Sequence, residues 1–168
     1  MHHALFHATA LVALIAFPAL AEDLSVPKGE VILTVSGQLD TTNVGATAQF
    51  DLEMLEALDA TTFKTTTIWT NEQNSFTGVS LVALVDHLGI EGETLRATAV
   101  NDYAVNIPVS DAVEGGPILA YRIDGETISL REKGPLWVIY PYDANSNYRS
   151  EVIYSRSIWQ LDRIEVVN

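Results

Sequence analysis

An unusual density of tyrosine marks one stretch of the sequence, and an arginine lies inside it. Four of the six tyrosines, Tyr140, Tyr142, Tyr148 and Tyr154, fall within 15 residues that also contain Arg149. Tyrosine rings can stack on a flat heterocycle, and a guanidinium can donate hydrogen bonds to its carbonyl. The pattern favours a site for a flat heteroaromatic ligand in the C-terminal part of the chain, where six of the nine lysines and arginines also lie. The alternative is that these residues form a structural and solvated set.

Most other site chemistries lack the residues they need. The chain has no cysteine, which excludes disulfides, thiolate-bound metals, iron–sulfur clusters and a cysteine nucleophile. His87 follows Asp86 near the end of a predicted helix, where binding the last carbonyls explains it better than catalysis does. No G-x-S-x-G elbow is present. No spacing singles out a carboxylate pair for sugar hydrolysis, and that chemistry stays open.

The segment that begins at Asp143 resembles the start of a calcium-binding loop. Its D-x-N-x-N pattern, Asp143 to Asn147, alternates oxygen ligands as an EF-hand does. However, Tyr148 stands where the turn glycine belongs and Tyr154 where the bidentate glutamate belongs. An ordinary polar loop is therefore favoured over a calcium site.

The net charge and the N-terminal residues indicate which partners to exclude and predict a signal peptide. The 22 acidic against 9 basic residues give a formal net charge of -13, which argues against nucleic acid or an anionic membrane as a partner. The apolar run from Leu5 to Leu20 leads into Ala19-Leu20-Ala21, a typical signal-peptide cleavage pattern. We expect cleavage after Ala21, so that residues 1–21 are a signal peptide and 22–168 a single domain. The alternative is an uncleaved anchor, but the run is shorter than the roughly 20 residues that a spanning helix needs.

Hydrophobic patterns then predict the elements that position the site. Residues 141–157 show neither helical nor strand periodicity, and long loops in compact domains are usually functional. Two turn dipeptides, Asn101-Asp102 and Asp124-Gly125, each predict a hairpin. The fold class is α+β, a mainly β single domain with a few short helices. The predicted strands are 30–36, 64–69, 94–100, 103–107, 118–123, 126–130, 136–140 and 158–167, the predicted helices are 50–58 and 79–88, and residues 70–77 are predicted as a loop.

Four segments together resemble one family. SFTGVSLVALVDHLGI (75–90), GPILAYRIDGETIS (116–129), REKGPLWVIYP (131–141) and WQLDRIEV (159–166) occur in the order of similar motifs in the molybdopterin-binding domain of the sulfite oxidase family. That family has a molybdenum-ligating cysteine just before the first segment. Here the stretch reads Thr66-Thr67-Ile68-Trp69-Thr70. The resemblance thus implies the family's fold and a pterin pocket without the thiolate ligand, so oxygen-atom transfer at molybdenum should be lost or severely impaired.

The chain is also similar to small periplasmic proteins of this fold that lack the cysteine, bind a free pterin and regulate a membrane cyclic-di-GMP enzyme. This resemblance implies a non-catalytic, periplasmic pterin-binding protein with no bound metal, with the periplasmic domain of a membrane signalling protein as a partner. Free pterins carry no phosphate, which suits a strongly acidic host. Two alternatives stay open: a molybdopterin-dependent oxidoreductase without the cysteine ligand, and an interaction module that binds no small ligand.

Within that hypothesis the candidate ligand-binding residues follow from the chemistry of a pterin. Trp69, at the place of the lost metal ligand, is expected to stack on the ring with Tyr103 or Tyr154 as its partner. The turn Asn101-Asp102-Tyr103 would present the Asp102 carboxylate to the amino group and ring N–H of the pterin, or Asp102 would only shape the turn. The expected hydrogen-bond donors to the ring are Arg149, Ser155, Arg156 and Ser157.

Overall fold

A computed structural model describes residues 24–168. The predicted signal peptide lies outside these residues. The described part contains ten strands, three α-helices and two short 3-10 helices. The strands are β1 (Leu33–Gly37), β2 (Ala48–Phe50), β3 (Ala60–Thr65), β4 (Asn74–Ser80), β5 (Thr94–Ala99), β6 (Ala104–Pro108), β7 (Ile118–Ile123), β8 (Glu126–Thr127), β9 (Trp137–Ile139) and β10 (Leu161–Val167), the α-helices are α1 (Leu52–Ala57), α2 (Leu81–Leu88) and α3 (Glu151–Arg156), and the 3-10 helices are Val109–Asp111 and Ser146–Tyr148.

The strands form two five-stranded sheets. The first has the order β2-β1-β10-β5-β6, in which β1 and β10 are parallel and the other pairs antiparallel. The second has the order β3-β4-β7-β8, with β9 also pairing with β7. The predicted fold class, mainly β with a few short helices, is confirmed.

Alternating side chains of these strands supply the core. Leu33 and Val35 of β1 are fully buried, as expected where one face of a strand covers the interior. The amphipathic helix α2 adds Leu81, Leu84 and Leu88. Its ends match its sequence: Ser80 caps the first turn, and Gly89 ends the helix in the left-handed region at φ 59°.

Two neighbouring predictions are wrong. The predicted strand 64–69 ends at Thr65, and the predicted loop 70–77 is β4 from Asn74 onward. Threonines before and after Thr65 have the same strand propensity, so composition could not place the boundary. Pairing of β3 with β4 decides it, from Ala60 with Val79 to Thr65 with Asn74. Trp69 consequently lies in the connecting loop rather than on a strand.

The segment 141–157, predicted as a long loop, contains the short helix α3. Ser150 caps this helix by accepting from the Ile153 N–H. Six residues are too few for an amphipathic period to show in the sequence.

Within residues 24–168 no helix is both long and apolar enough to cross a membrane.

Candidate ligand site

A cavity of about 390 Å³ opens where three connections meet, and its size falls in the range of small-molecule sites. These connections are the β3–β4 loop, the β5–β6 turn and the junction of α3 with β10. Pairing of Ala99 on β5 with Leu161 on β10 brings the last two together. The lining residues are Trp69, Ala99, Asn101, Tyr103, Tyr154, Ser155, Ser157, Ile158, Trp159 and Gln160.

Trp69 is the centre of an aromatic cluster at this cavity. Its ring centroid lies 5.8 Å from those of Trp137, Tyr154 and Trp159 and 6.3 Å from that of Tyr142, all edge to face. Such contacts fix ring orientation. The aromatic rings therefore form a preorganised wall of the cavity. Trp159, which belongs to this wall, is 38% exposed.

The loop that carries Trp69 is held at both ends by one carboxylate. Asp143 accepts from the Thr66 N–H and hydroxyl, both at 2.7 Å, and from the Gln73 side chain at 3.2 Å. The Thr66 hydroxyl is the main cause of a lowered Asp143 pKa. Inside the loop, the Thr67 hydroxyl accepts from the N–H groups of Trp69 and Thr70. The calcium-like motif thus serves to close a loop.

The β5–β6 turn contributes Asn101 and Tyr103 to the cavity but not Asp102. Asp102 has a left-handed backbone, φ 66°, and its side chain is 83% exposed. Its carboxylate accepts from Arg163 at 2.9 Å, and Arg163 also donates to the Ala99 carbonyl at 2.8 Å. In this structure Asp102 shapes and braces the turn, and the expected position of its carboxylate in the cavity is not observed.

Ser157 lines the cavity, but its hydroxyl is already used. It donates to the Ile153 carbonyl at 3.0 Å and accepts from the Tyr142 hydroxyl at 2.6 Å. A hydroxyl carries one proton, so it has none left for a ligand. Burial is the main cause that raises the pKa of Tyr142 to about 12, which keeps this donor protonated. The Ser157 carbonyl in turn accepts from the Trp137 indole.

The two arginines expected as donors lie elsewhere. Arg156 forms an ion pair with Asp111 at 2.8 Å, and Asp111 also accepts from the Tyr140 hydroxyl at 2.7 Å. Burial raises the pKa of Tyr140. Arg149 is exposed and does not line the cavity. Of the four clustered tyrosines, Tyr140 and Tyr142 are buried and bind partners inside the fold, so they are structural residues.

Six of the nine predicted residues line one cavity, namely Trp69, Asn101, Tyr103, Tyr154, Ser155 and Ser157, and their binding role stays a prediction. The Ser155 hydroxyl donates to the Val152 carbonyl at 2.7 Å, so the expected donor proton is already used in both serines. Sequence reasoning missed Ala99, Ile158, Trp159 and Gln160. The sequence does contain a signal for Trp159 and Gln160, since the two follow the apolar Ile158 and directly precede strand β10. No lining residue carries a formal charge. The Lys133 ammonium lies 4.6 Å from the Trp159 ring centroid, outside the lining set.

Comparison with known proteins shows the family. The profile of the oxidoreductase molybdopterin binding domain matches residues 38–148, more than half of the chain. The chain belongs to the oxidoreductase molybdopterin binding domain family. The sulfane dehydrogenase SoxCD from Paracoccus pantotrophus has a similar structure, with a TM-score of 0.59 and 17% identity. The match covers 80% of this chain and 37% of that one, and it confirms the sulfite-oxidase-type fold. No curated protein matches the chain.

The lining suits one part of the family's cofactor. Aromatic rings and neutral amides fit the flat pterin ring. The chain contains no cysteine to bind molybdenum through a thiolate, and the lining offers no cation for the phosphate of molybdopterin. In residues 24–168, no three His, Cys, Asp or Glu side chains are grouped so that they could hold a metal.

Proposed function

We propose that this molybdopterin-binding-type domain binds a free pterin and is not an enzyme. The observation that carries the proposal is an uncharged cavity, walled by the Trp69 cluster, in a chain with no cysteine. Aromatic residues supply area for ring stacking, and amides and hydroxyls supply orientation. An uncharged ring enters such a cavity without the cost of desolvating a phosphate.

The tryptophans make binding directly measurable. All three tryptophans of the chain belong to one cluster, with centroids within 6.4 Å of one another. We would titrate the protein lacking residues 1–21 with oxidised and reduced pterins and follow fluorescence quenching, corrected for ligand absorbance. Saturation at low micromolar concentration, about -8 kcal/mol, supports the proposal. Failure of every pterin to bind refutes it.

Trp69→Ala tests the location of the site. We expect it to weaken pterin binding by about tenfold or more, since base–aromatic stacking contributes roughly 1–3 kcal/mol in nucleic-acid complexes. The matched control is Ile68→Ala in the same loop, because Ile68 is exposed and does not line the cavity. Calorimetric titration avoids the loss of the fluorophore, and a thermal melt verifies folding. Trp69→Phe retains an aromatic face and should bind with intermediate affinity. Wild-type affinity in both Trp69 variants would place the ligand elsewhere.

Family membership favours a second candidate, an oxidoreductase that holds molybdopterin without a cysteine. Elemental analysis of protein purified from a host that makes molybdopterin separates the two. Stoichiometric molybdenum would support the oxidoreductase, whereas metal-free protein that binds a pterin would support the first proposal.

We further propose that the protein is exported to the periplasm and signals its ligand state to a membrane cyclic-di-GMP protein. The leader-like residues 1–21 and the resemblance to small periplasmic pterin-binding proteins support this. Mass spectrometry of the periplasmic fraction should find a chain that begins at Glu22. The capture of such a partner is then compared between wild type and Trp69→Ala, each with and without pterin. Equal capture in all four cases would show that the partner does not respond to the ligand.

A further inference from the structure

Two amide side chains line the cavity, and the fold fixes which end of each is free. The Asn101 oxygen accepts from the Tyr103 N–H at 3.2 Å, so its NH₂ group remains available. The Gln160 NH₂ group donates to the Leu130 carbonyl at 2.8 Å, so its oxygen remains available. Among residues 24–168 neither free group has a hydrogen-bond partner. These two side chains therefore offer the cavity one neutral donor and one neutral acceptor.

A backbone hydrogen bond places Gln160 next to the residue that precedes Asn101. The Gln160 carbonyl accepts from the Val100 N–H at 2.9 Å, directly before Asn101. The Gln160 N–H donates to the Lys133 carbonyl at 2.9 Å. Gln160 adopts the left-handed region at φ 52°, which costs a non-glycine residue free energy and is often found at functional sites.

We infer that Asn101 and Gln160 together recognise an uncharged lactam edge, in which a ring carbonyl lies beside a ring N–H. The carbonyl accepts from the Asn101 NH₂ group, and the ring N–H donates to the Gln160 oxygen. This inference rests on the proposed function and specifies its ligand class. A ring with an amino group in place of the carbonyl reverses the pattern, because its amino group meets a donor and its ring nitrogen meets an acceptor.

The test compares pterin with 2,4-diaminopteridine, which carries that reversed pattern on the same bicyclic ring. Wild-type protein should prefer pterin by about tenfold or more, since the analogue leaves polar groups of the site unpaired. Asn101→Asp replaces the donor by an acceptor. We expect it to weaken pterin binding and to reverse or abolish the preference in calorimetric titrations.

Asn106→Asp is the matched control, since Asn106 is exposed on β6 and does not line the cavity. It adds the same charge and should leave both affinities unchanged. Gln160→Met keeps the side-chain length and removes the acceptor, and it should also weaken pterin binding. This variant provides a second test if Asn101→Asp lowers the melting temperature of the protein.

The outcomes separate the two proposals. If wild type binds pterin and the diamino analogue equally and the Asn101 and Gln160 variants do not change this, the lactam inference is overturned and pterin binding stands. Equal weakening of both ligands by Asn101→Asp also contradicts it. If wild type binds neither ring, both proposals are overturned.

Discussion

At the scale of single residues, Asn101 and Asp102 show how adjacent side chains of one turn take different roles. The sequence favours Asp102 as the ligand carboxylate because a carboxylate pairs well with a pterin edge. In the structure Asp102 binds Arg163 at the surface, and its neighbour Asn101 lines the cavity. A left-handed residue inside a tight turn rotates successive side chains away from one another, which spacing alone does not reveal.

Asp102→Asn tests this assignment. Asparagine tolerates the left-handed region, and an exposed ion pair contributes only about 0–1 kcal/mol. We therefore expect pterin affinity within about twofold of wild type and a small decrease in stability, measured by calorimetric titration and urea unfolding. Loss of binding would show instead that the carboxylate contacts the ligand. Arg96→Gln, which removes a surface partner of Glu165, controls for the loss of an ion pair.

At the scale of elements, the site depends on loops that the two sheets bring together. In the described part of the chain the β3–β4 loop pairs with no strand, and Asp143 from the segment before α3 holds it. Trp69 lies between the two loop ends that Asp143 binds. The position of the aromatic wall therefore depends on the closure of this loop by Asp143.

Asp143→Ala should loosen the loop more than it destabilises the fold. We expect a decrease of about 1 kcal/mol in the free energy of unfolding, because the hydrogen bonds are charge-assisted but exposed. Hydrogen exchange at the Trp69 and Thr70 amides should accelerate, and pterin binding should weaken. Asn147→Ala is the control, since this exposed side chain of the same segment makes no hydrogen bond within residues 24–168. Unchanged exchange in Asp143→Ala would show that the loop is held by its own contacts.

At the scale of the whole molecule, folding depends on carboxylates that bind backbone N–H groups. Asp51 is buried and accepts from Lys28, Gly29 and Met54 at 2.8 to 2.9 Å. The Gly29 bond is the first of the causes that lower its pKa. The pKa values of Asp124 and Asp143 are lowered too, chiefly by bonds from Ser75 and Thr66. A pKa lowered by folding adds stability above the unfolded value, and this stability is lost as the pH falls through the folded value.

Asp51→Asn should reduce both stability and its pH dependence. An amide cannot accept all three N–H bonds, and we expect a loss of about 1–2 kcal/mol at pH 7. As the pH falls below about 4, the wild type progressively loses this contribution, so the difference between the two free energies of unfolding should shrink. Urea unfolding between pH 7 and pH 3 measures this, with Asp59→Asn as the control, since Asp59 is exposed and its side chain makes no hydrogen bond within residues 24–168. A constant difference across that range would contradict the role of the Asp51 charge. General charge repulsion is nearly common to both proteins and cancels in the comparison.

How far the sequence predicts this protein differs between strands and loops. The strands 94–99, 104–108 and 118–123 and the helix at 81–88 lie within or close to their predicted ranges, since hydrophobic period and turn residues are local signals. The β3–β4 boundary and α3 were missed, because strand pairing and a six-residue helix leave no such signal. Residue type and proximity in sequence favour Arg149 and Arg156 as donors to the ligand, whereas in the structure Asp111 binds Arg156 from 45 residues away.

The sequence by itself determined the fold class, the family, the lack of a thiolate and the aromatic character of the site, since composition and local motifs carry each of these. Only the tertiary structure decided which polar groups are free. The Ser157 hydroxyl, the Asp102 carboxylate and the Arg156 guanidinium are occupied by partners, whereas one end each of the Asn101 and Gln160 amides has no partner among residues 24–168. A hydrogen-bonding group is available to a ligand only when no other group satisfies it. The partners of Asp102, Arg156 and Gln160 lie 30 or more residues away, so the sequence does not reveal them.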